Sequence, residues 1–275
     1  MPLTLTLRQP TSIPIEVDSV RLESVREQTL DQIKATPVQY GNKQVALAEF
    51  FDVAGSAAED EHLVWVGDCS KAKLIAAGWR RGKVTVEGHA GMHLGAEMYG
   101  GEVRVHGNAG DWVGAEMKGG RIHVHGSAGN CVAAVYRGGR KGMSGGEIFI
   151  DGNAGNELGH TLRRGLIAVG GSAGDGMAFN MLAGTILVFG AAGIRPGAGM
   201  RRGTIALLGA APAPSMLPTF QFTCQDRPDF LRVYLLHLRR CGFEFPDECL
   251  SAVYQRYKGD FLELGKGEIL VRSAV

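Results

Sequence analysis

Apolar residues recur two and four positions after a glycine seven times over. The pairs are Val84/Val86, Val103/Val105, Ile122/Val124, Ile148/Ile150, Ile167/Val169, Ile186/Val188 and Ile205/Leu207. Alternation of period two in β-branched residues predicts a half-buried strand, with one face inward and one outward. The opening glycines are Gly82, Gly101, Gly120, Gly146, Gly165, Gly184 and Gly203, 19 residues apart except for one step of 26. A turn follows each of the first strands: His89-Ala90-Gly91, Asn108-Ala109-Gly110, Ser127-Ala128-Gly129, Asn153-Ala154-Gly155, Ser172-Ala173-Gly174. Gly and Asn accept left-handed backbone angles that other residues resist. A third apolar rung stands three residues before each next unit: Met98, Met117, Met143, Leu162, Met181 and Met200. Methionine fills irregular gaps, so this column is assigned to core packing.

A unit of about 19 residues with one strand and a turn cannot bury its own apolar face. Stacked at ~4.8 Å, the units form a continuous thin core. The predicted fold is an all-β core built as a right-handed parallel β-helix, a solenoid of about seven coils and roughly 30–35 Å. Of the 41 glycines, 33 fall between Gly82 and Ala210, consistent with tight corners. Three segments follow. Residues 1–60 form a small mixed appendage with strands at Leu3–Leu7 and Ile13–Val17 and a helical stretch near Ser24–Ala35. Residues 61–210 form the solenoid, with His62–Asp68 as a degenerate first coil. Residues 211–275 hold a proline-rich exit (Pro212, Pro214, Pro218), a helix over Asp229–Arg240 and a closing segment, Phe261–Val271. An open strand edge invites aggregation, so the helix is a candidate cover for the solenoid end, with a sideways contact on a partner as the alternative.

The net charge of +1 argues against a nucleic-acid protein that works by bulk charge. No apolar run reaches the roughly 18 residues of a membrane helix. Cys69, Cys131, Cys224, Cys241 and Cys249 are scattered, with no Cys-x-x-Cys pair. A zinc or iron–sulfur site is therefore not expected, and an odd cysteine count without a signal peptide reads as cytosolic and reduced.

The 26-residue unit matches its neighbours if Tyr136–Gly142 is a seven-residue insertion, and insertions in solenoids project as loops, often on the binding face. Arg137, Arg140 and Lys141 make this loop a candidate for a protein contact or an anionic group. Basic pairs also close coils: Arg80-Arg81, Arg163-Arg164 and Arg201-Arg202. Stacking could align them as a cationic stripe suited to a polyanionic arm. The outward position five residues after each opening glycine runs Glu87, His106, His125, Asp151, Gly170, Phe189, Leu208. Ligands in a straight row do not converge on a point, so no metal is assigned. The outward face turns apolar with Phe149, Leu187, Phe189 and Leu208, and apolar area of that extent, if exposed, marks a partner interface. Cys131 and Ser144 have no evident base, and the carboxylate or aromatic cluster of a sugar-cleaving groove is absent, so no catalytic residue is assigned.

The stretches GNAGDWVGAEMKGG, GGRKGMSGG, GNAGNELG and GAGMRRGTI resemble the C subunit of formylmethanofuran dehydrogenase and, more distantly, the glycine-repeat domain that ends the glutamate synthase large subunit. The resemblance covers about residues 62–210, and the flanking regions suit the C subunit better. It implies a non-catalytic structural subunit in a complex that moves a formyl group between a methanofuran-like carrier with a glutamyl tail and tetrahydromethanopterin. The implied partners are an amidohydrolase-like A subunit, a B subunit and a formyltransferase D subunit. Zinc, or a molybdenum or tungsten pterin with iron–sulfur clusters, would sit on those partners, with no cofactor on this chain. Twenty Arg against nine Lys tilts the expectation toward the bacterial formyltransferase/hydrolase form, which releases formate, over the archaeal redox form. The matching motifs are glycines and turns, so no functional residue carries over. The cations at Arg137, Arg140, Lys141, Arg163, Arg164, Arg201 and Arg202 remain candidates for the carrier's tail or for a partner.

Overall fold

The computed structural model describes residues 1–210 and 214–273; Pro212 and the start of the third segment at 211 lie outside the described residues. The repeat residues pair with their own equivalents. Strands β8 (Lys83–Glu87), β9 (Glu102–Val105), β10 (Arg121–Val124), β11 (Glu147–Ile150), β12 (Leu166–Val169), β13 (Thr185–Val188) and β14 (Arg202–Leu207) run parallel and in register. Val84, Val103, Ile122, Ile148, Ile167, Ile186 and Ile205 are successive partners. All are buried, as is the column Met98, Met117, Met143, Leu162, Met181 and Met200. A second parallel ladder of single bridges links Cys69, Ala90, Ala109, Ala128, Ala154, Ala173 and Ala192. Only small residues stand there, where successive backbones meet closely. The opening glycines have positive φ, and a Cβ on Gly146 would lie 2.7 Å from the Gly120 carbonyl oxygen.

The stack runs beyond the repeats at both ends. Strand β6 (His62–Val66) pairs in parallel with β8, and β1 (Leu3–Leu7) adds in parallel outside β6. Strand β5 (Phe51–Ala54) then pairs antiparallel with β1. At the far end β17 (Lys266–Arg272) adds in parallel to β14, followed by antiparallel β16 (Tyr254–Gly259) and β15 (Gln221–Asp226). The result is one 13-stranded sheet shared by all three chain segments. A second sheet joins β2 (Ile15–Glu16), β3 (Pro37–Tyr40), β4 (Lys43–Ala46) and β7 (Ala72–Lys73).

Three local expectations change. The helical stretch near Ser24–Ala35 splits into α1 (Leu22–Val25) and α2 (Leu30–Lys34), because Thr29 starts a new helix with a reciprocal capping box to Gln32. The strand expected over Ile13–Val17 shortens to Ile15–Glu16. The closing segment becomes a strand only from Lys266, after a turn that leaves Phe261, Leu262 and Leu264 exposed.

The largest correction concerns the C-terminal helix. α3 (Asp229–Arg240) buries Leu231, Leu235 and Leu238, one stripe at i, i+4 and i+7. It lies on the outward face of the strands, while β15, β16 and β17 close the sheet at that end. Phe149, Leu187 and Leu208 form one buried cluster with Leu231, Leu235, Leu238, Phe243 and Tyr254, and Phe189 packs against it. The apolar face offered to a partner is therefore covered by the chain itself. Burying a large apolar side chain is worth ~1.5–3 kcal/mol, which drives the helix onto those positions. The face is polar in β8 and β9, where Thr85 is only half-buried and Arg104 is exposed, and apolar in β12 and β13, where every residue is buried.

Candidate functional site

Two surfaces carry unassigned charge. The first is the corner carrying the residues one position after the methionine column. Backbone N–H groups of Lys118, Arg163 and Arg201 donate to the carbonyls of Met98, Met143 and Met181 at 2.7–2.8 Å, which fixes these side chains in one column. Its early members are tied together: Arg80 and Lys118 flank the Tyr99 ring at 4.5 and 4.3 Å. Hydrogen bonding to the Tyr99 hydroxyl holds the Lys118 pKa above its ordinary value.

The inserted loop springs from this side. Tyr136 anchors it: the phenol meets His93 Nδ1 at 2.8 Å, the ring stacks on Trp112 at 5.1 Å, and its N–H donates to Glu116. Burial, with Glu97 and Glu116 adding to it, pushes the Tyr136 hydroxyl up to about 12, so it stays protonated. A turn closes from Gly139 N–H to the Tyr136 carbonyl, with Gly138 at φ +84°. Arg137, Arg140 and Lys141 project into solvent, and none makes an ion pair among the described residues.

The paired cations divide. Arg163 and Arg201 share the column two repeat units apart, roughly 10 Å. Arg164 and Arg202, one position on in the same coils, are exposed. Arg201 is bonded to Glu263 at 3.1 Å, which reduces its availability to an anion. Arg164 lines the second surface, a cleft of about 610 Å³ between α3 and the starts of β11–β13. Tyr234, His237 and Arg240 of α3 form its opposite wall.

At the cleft's end Arg121 holds Glu147 at 2.7 Å, and Glu147 also meets His237 Nε2 at 2.5 Å. Glu147 and His237 are 90 residues apart, so no local pattern signals this pair. Cys241 Sγ lies 3.7 Å from the same Nε2. That is not an activated thiol: one nitrogen serves both neighbours, and burial raises the Cys241 pKa despite nearby Arg121. Burial likewise raises the Cys131 pKa. The arrangement suits anion and protein contacts and provides no activated nucleophile at these thiols.

The sequence profile of the GXGXG motif family matches residues 68–215, more than half of the chain. The chain belongs to the GXGXG motif family. The chain is 41% identical over 95 residues to the C subunit of the molybdenum-containing formylmethanofuran dehydrogenase 1 of Methanothermobacter marburgensis, covering 34% of this chain and 24% of that protein. It is 37% identical over 93 residues to the C subunit of the tungsten-containing formylmethanofuran dehydrogenase 2 of Methanococcus maripaludis, covering 34% of each. These matches span about a quarter to a third of the curated relatives. A solved chain from the formyltransferase/hydrolase complex (FhcABCD) of Methylorubrum extorquens, in complex with methylofuran, superimposes with a TM-score of 0.90 and 32% identity. That match covers 98% of this chain and 100% of the other, including the appendages outside the GXGXG repeats. Within the GXGXG motif family the chain thus groups with the C subunits of formylmethanofuran dehydrogenases and with a chain of the formyltransferase/hydrolase complex. No helix among the described residues is long and apolar enough to cross a membrane.

Proposed function

We propose that this chain is the structural C subunit of a cytoplasmic formyltransferase/hydrolase-type complex. It would serve formyl transfer between a methylofuran-type carrier and tetrahydromethanopterin while lacking a catalytic centre of its own. The supporting observation is the co-extensive match over 98% and 100% of the two chains. The agreement of whole chains with a member of the formyltransferase/hydrolase complex favours the hydrolytic assembly over the redox one, whose relatives match here over about a third of the chain, and over a glutamate-synthase-type module, which would close a much longer chain. The partners are then an amidohydrolase-like subunit, a B subunit and a formyltransferase. The parallel ladders are read as faces of a right-handed β-helix over about 61–210, carrying the 1–60 and 211–275 extensions. Its part is to hold the catalytic subunits at fixed positions.

The exposed cations Arg137, Arg140, Lys141, Arg163, Arg164 and Arg202, without an ion pair among the described residues, are the groups best suited to a carrier's glutamyl tail or an acidic partner. Neutralising Arg137, Arg140 and Lys141 together is expected to weaken binding of a long-tailed carrier more than a tail-less one; equal effects would remove the tail from this role. The assembly itself is tested by native co-purification with mass spectrometry and metal analysis. Recovery of the three partners with zinc and without molybdenum or tungsten supports the hydrolytic form. Molybdenum or tungsten with iron–sulfur supports the redox form, and a chain recovered alone ends the scaffold reading.

A further inference from the structure

Two histidines and a carboxylate converge at the margin of the α3-covered face. His123 and His125 are two positions apart on one strand path, so both side chains leave the same face. Asp151 stands beside His125 on the next coil, fixed by its N–H to the Val124 carbonyl at 2.9 Å. Asp151 Oδ1 meets His123 Nε2 at 2.8 Å, and Oδ2 meets His125 Nδ1 at 2.7 Å. The row of His106 and His125 alone does not converge; His123, outside that row, supplies the second nitrogen.

The three residues are held differently. His123 is only 8% exposed in its side chain and packs against Phe149 and Phe243, with ring centroids 5.8 and 6.3 Å away. His125 and Asp151 are 37% and 36% exposed and keep the cluster open to solvent. The ligand atoms of all three lie within 4.8 Å of one another. An ion ~2.0–2.2 Å from each donor needs donors no more than ~4.2 Å apart, which small side-chain rotations supply. The His106 ring lies tilted beside His125 at 5.4 Å, and Glu87 lies 3.8 Å from His106, placing one further carboxylate outside the cluster. No arginine or lysine among the described residues pairs with Asp151. A second cluster, Glu147, His237 and Cys241, has similar spacing, but the Arg121 guanidinium already occupies its carboxylate.

We propose that His123, His125 and Asp151 bind one divalent ion of the zinc class. Two imidazole nitrogens with a carboxylate suit such an ion, whereas magnesium and calcium prefer all-oxygen sites. Three protein donors leave at least one coordination position to water. Bound there, the ion ties β10 to β11 beside the Phe243 anchor of the C-terminal cap.

The test uses the full chain, stripped with a chelator and titrated with zinc chloride. Calorimetry and metal content are expected to give one ion per chain, and zinc is expected to raise the melting temperature. His125→Gln and Asp151→Asn should each weaken binding by about tenfold or more, while Cys241→Ser leaves it unchanged. In the unmutated chain, zinc should shift the imidazole NMR signals of His123 and His125, a readout independent of how any variant folds. Absence of saturable binding, wild-type affinity in both ligand variants, loss in Cys241→Ser, or shifts confined to other histidines would each overturn the site.

Discussion

Asn130 accepts the backbone N–H of Asn156 on its side-chain oxygen at 2.9 Å, across 26 residues of chain. The same bond joins Asp111 to Asn130, Asn156 to Asp175 and Asp175 to Ile194 at 2.7–3.0 Å, each across 19 residues. The seven extra residues therefore leave this ladder unbroken and are expelled wholly as a loop. Asn130→Ala removes one rung while water can reach the exposed turn. A loss of ~1 kcal/mol is expected in urea unfolding. A loss below a few tenths would mean that the ladder adds no stability.

Two glycines, one in the inserted loop and one opening the next unit, separate backbone strain from crowding. Gly146 has φ +92°, and a Cβ there meets the Gly120 carbonyl and the Met117 methyl at 2.7 Å. Gly138 has φ +84° with nothing within 4 Å. Left-handed strain costs ~1–2 kcal/mol at either position. Gly138→Ala should lose about that much and Gly146→Ala ~3 kcal/mol or more. Equal losses would show that neighbouring repeat units separate easily.

The cover over the outward face should open as a unit. Leu235, on the inner stripe of α3, is fully buried in the cluster with Phe149 and Leu187. Leu235→Ala is expected to cost ~2–5 kcal/mol. Hydrogen exchange should accelerate in α3 before it does in β8 or β9. Uniform acceleration along the sheet would show that the cover and core unfold together.

The thiols should divide by exposure. Cys224 lies exposed on β15, while burial, with Asp68 adding to it, pushes the Cys69 thiol up to about 12. Iodoacetamide at about pH 8 should label Cys224 first and Cys69 only on unfolding. Because the fold keeps Cys69 protonated, its linkage contribution is intact below the free thiol's value of 9.0 and declines as pH rises toward about 12. Early labelling of Cys69, read by peptide mass spectrometry, would contradict this burial.

What could be read in advance follows from periodicity. Ile122 meets Ile148 and Met117 lies in one column with Met143 because a fixed repeat dictates its own register, even across an insertion. The bounds of α3 were equally legible from Leu231, Leu235 and Leu238. Its landing place was not, since an amphipathic stripe states how much it buries but not against what. Phe149, Leu187 and Leu208 thus looked like a free surface until the helix was placed on them. Leu3–Leu7 was recognisable as a strand, but no repeat marks it as the neighbour of β6. His123 stands outside the column of equivalent positions that holds His106 and His125, and its contact with Asp151 runs diagonally, so a comparison of equivalent positions does not reveal it. His237 and Glu147 meet only through the tertiary path of the chain.

The change of strand direction at both ends has a consequence for assembly size. Inside the sheet each repeat strand templates the next in parallel, a process with no intrinsic stopping point. At one end antiparallel β5 offers a neighbour the wrong polarity to continue the series, and at the other the reversal at β16 interrupts it before β15 turns back, so the molecule behaves as a ruler with two end stops. Thirteen strands at ~4.8 Å span ~58 Å. Anything fastened near β5 and β15 is held at that separation, set by a count of strands and therefore resistant to stretching.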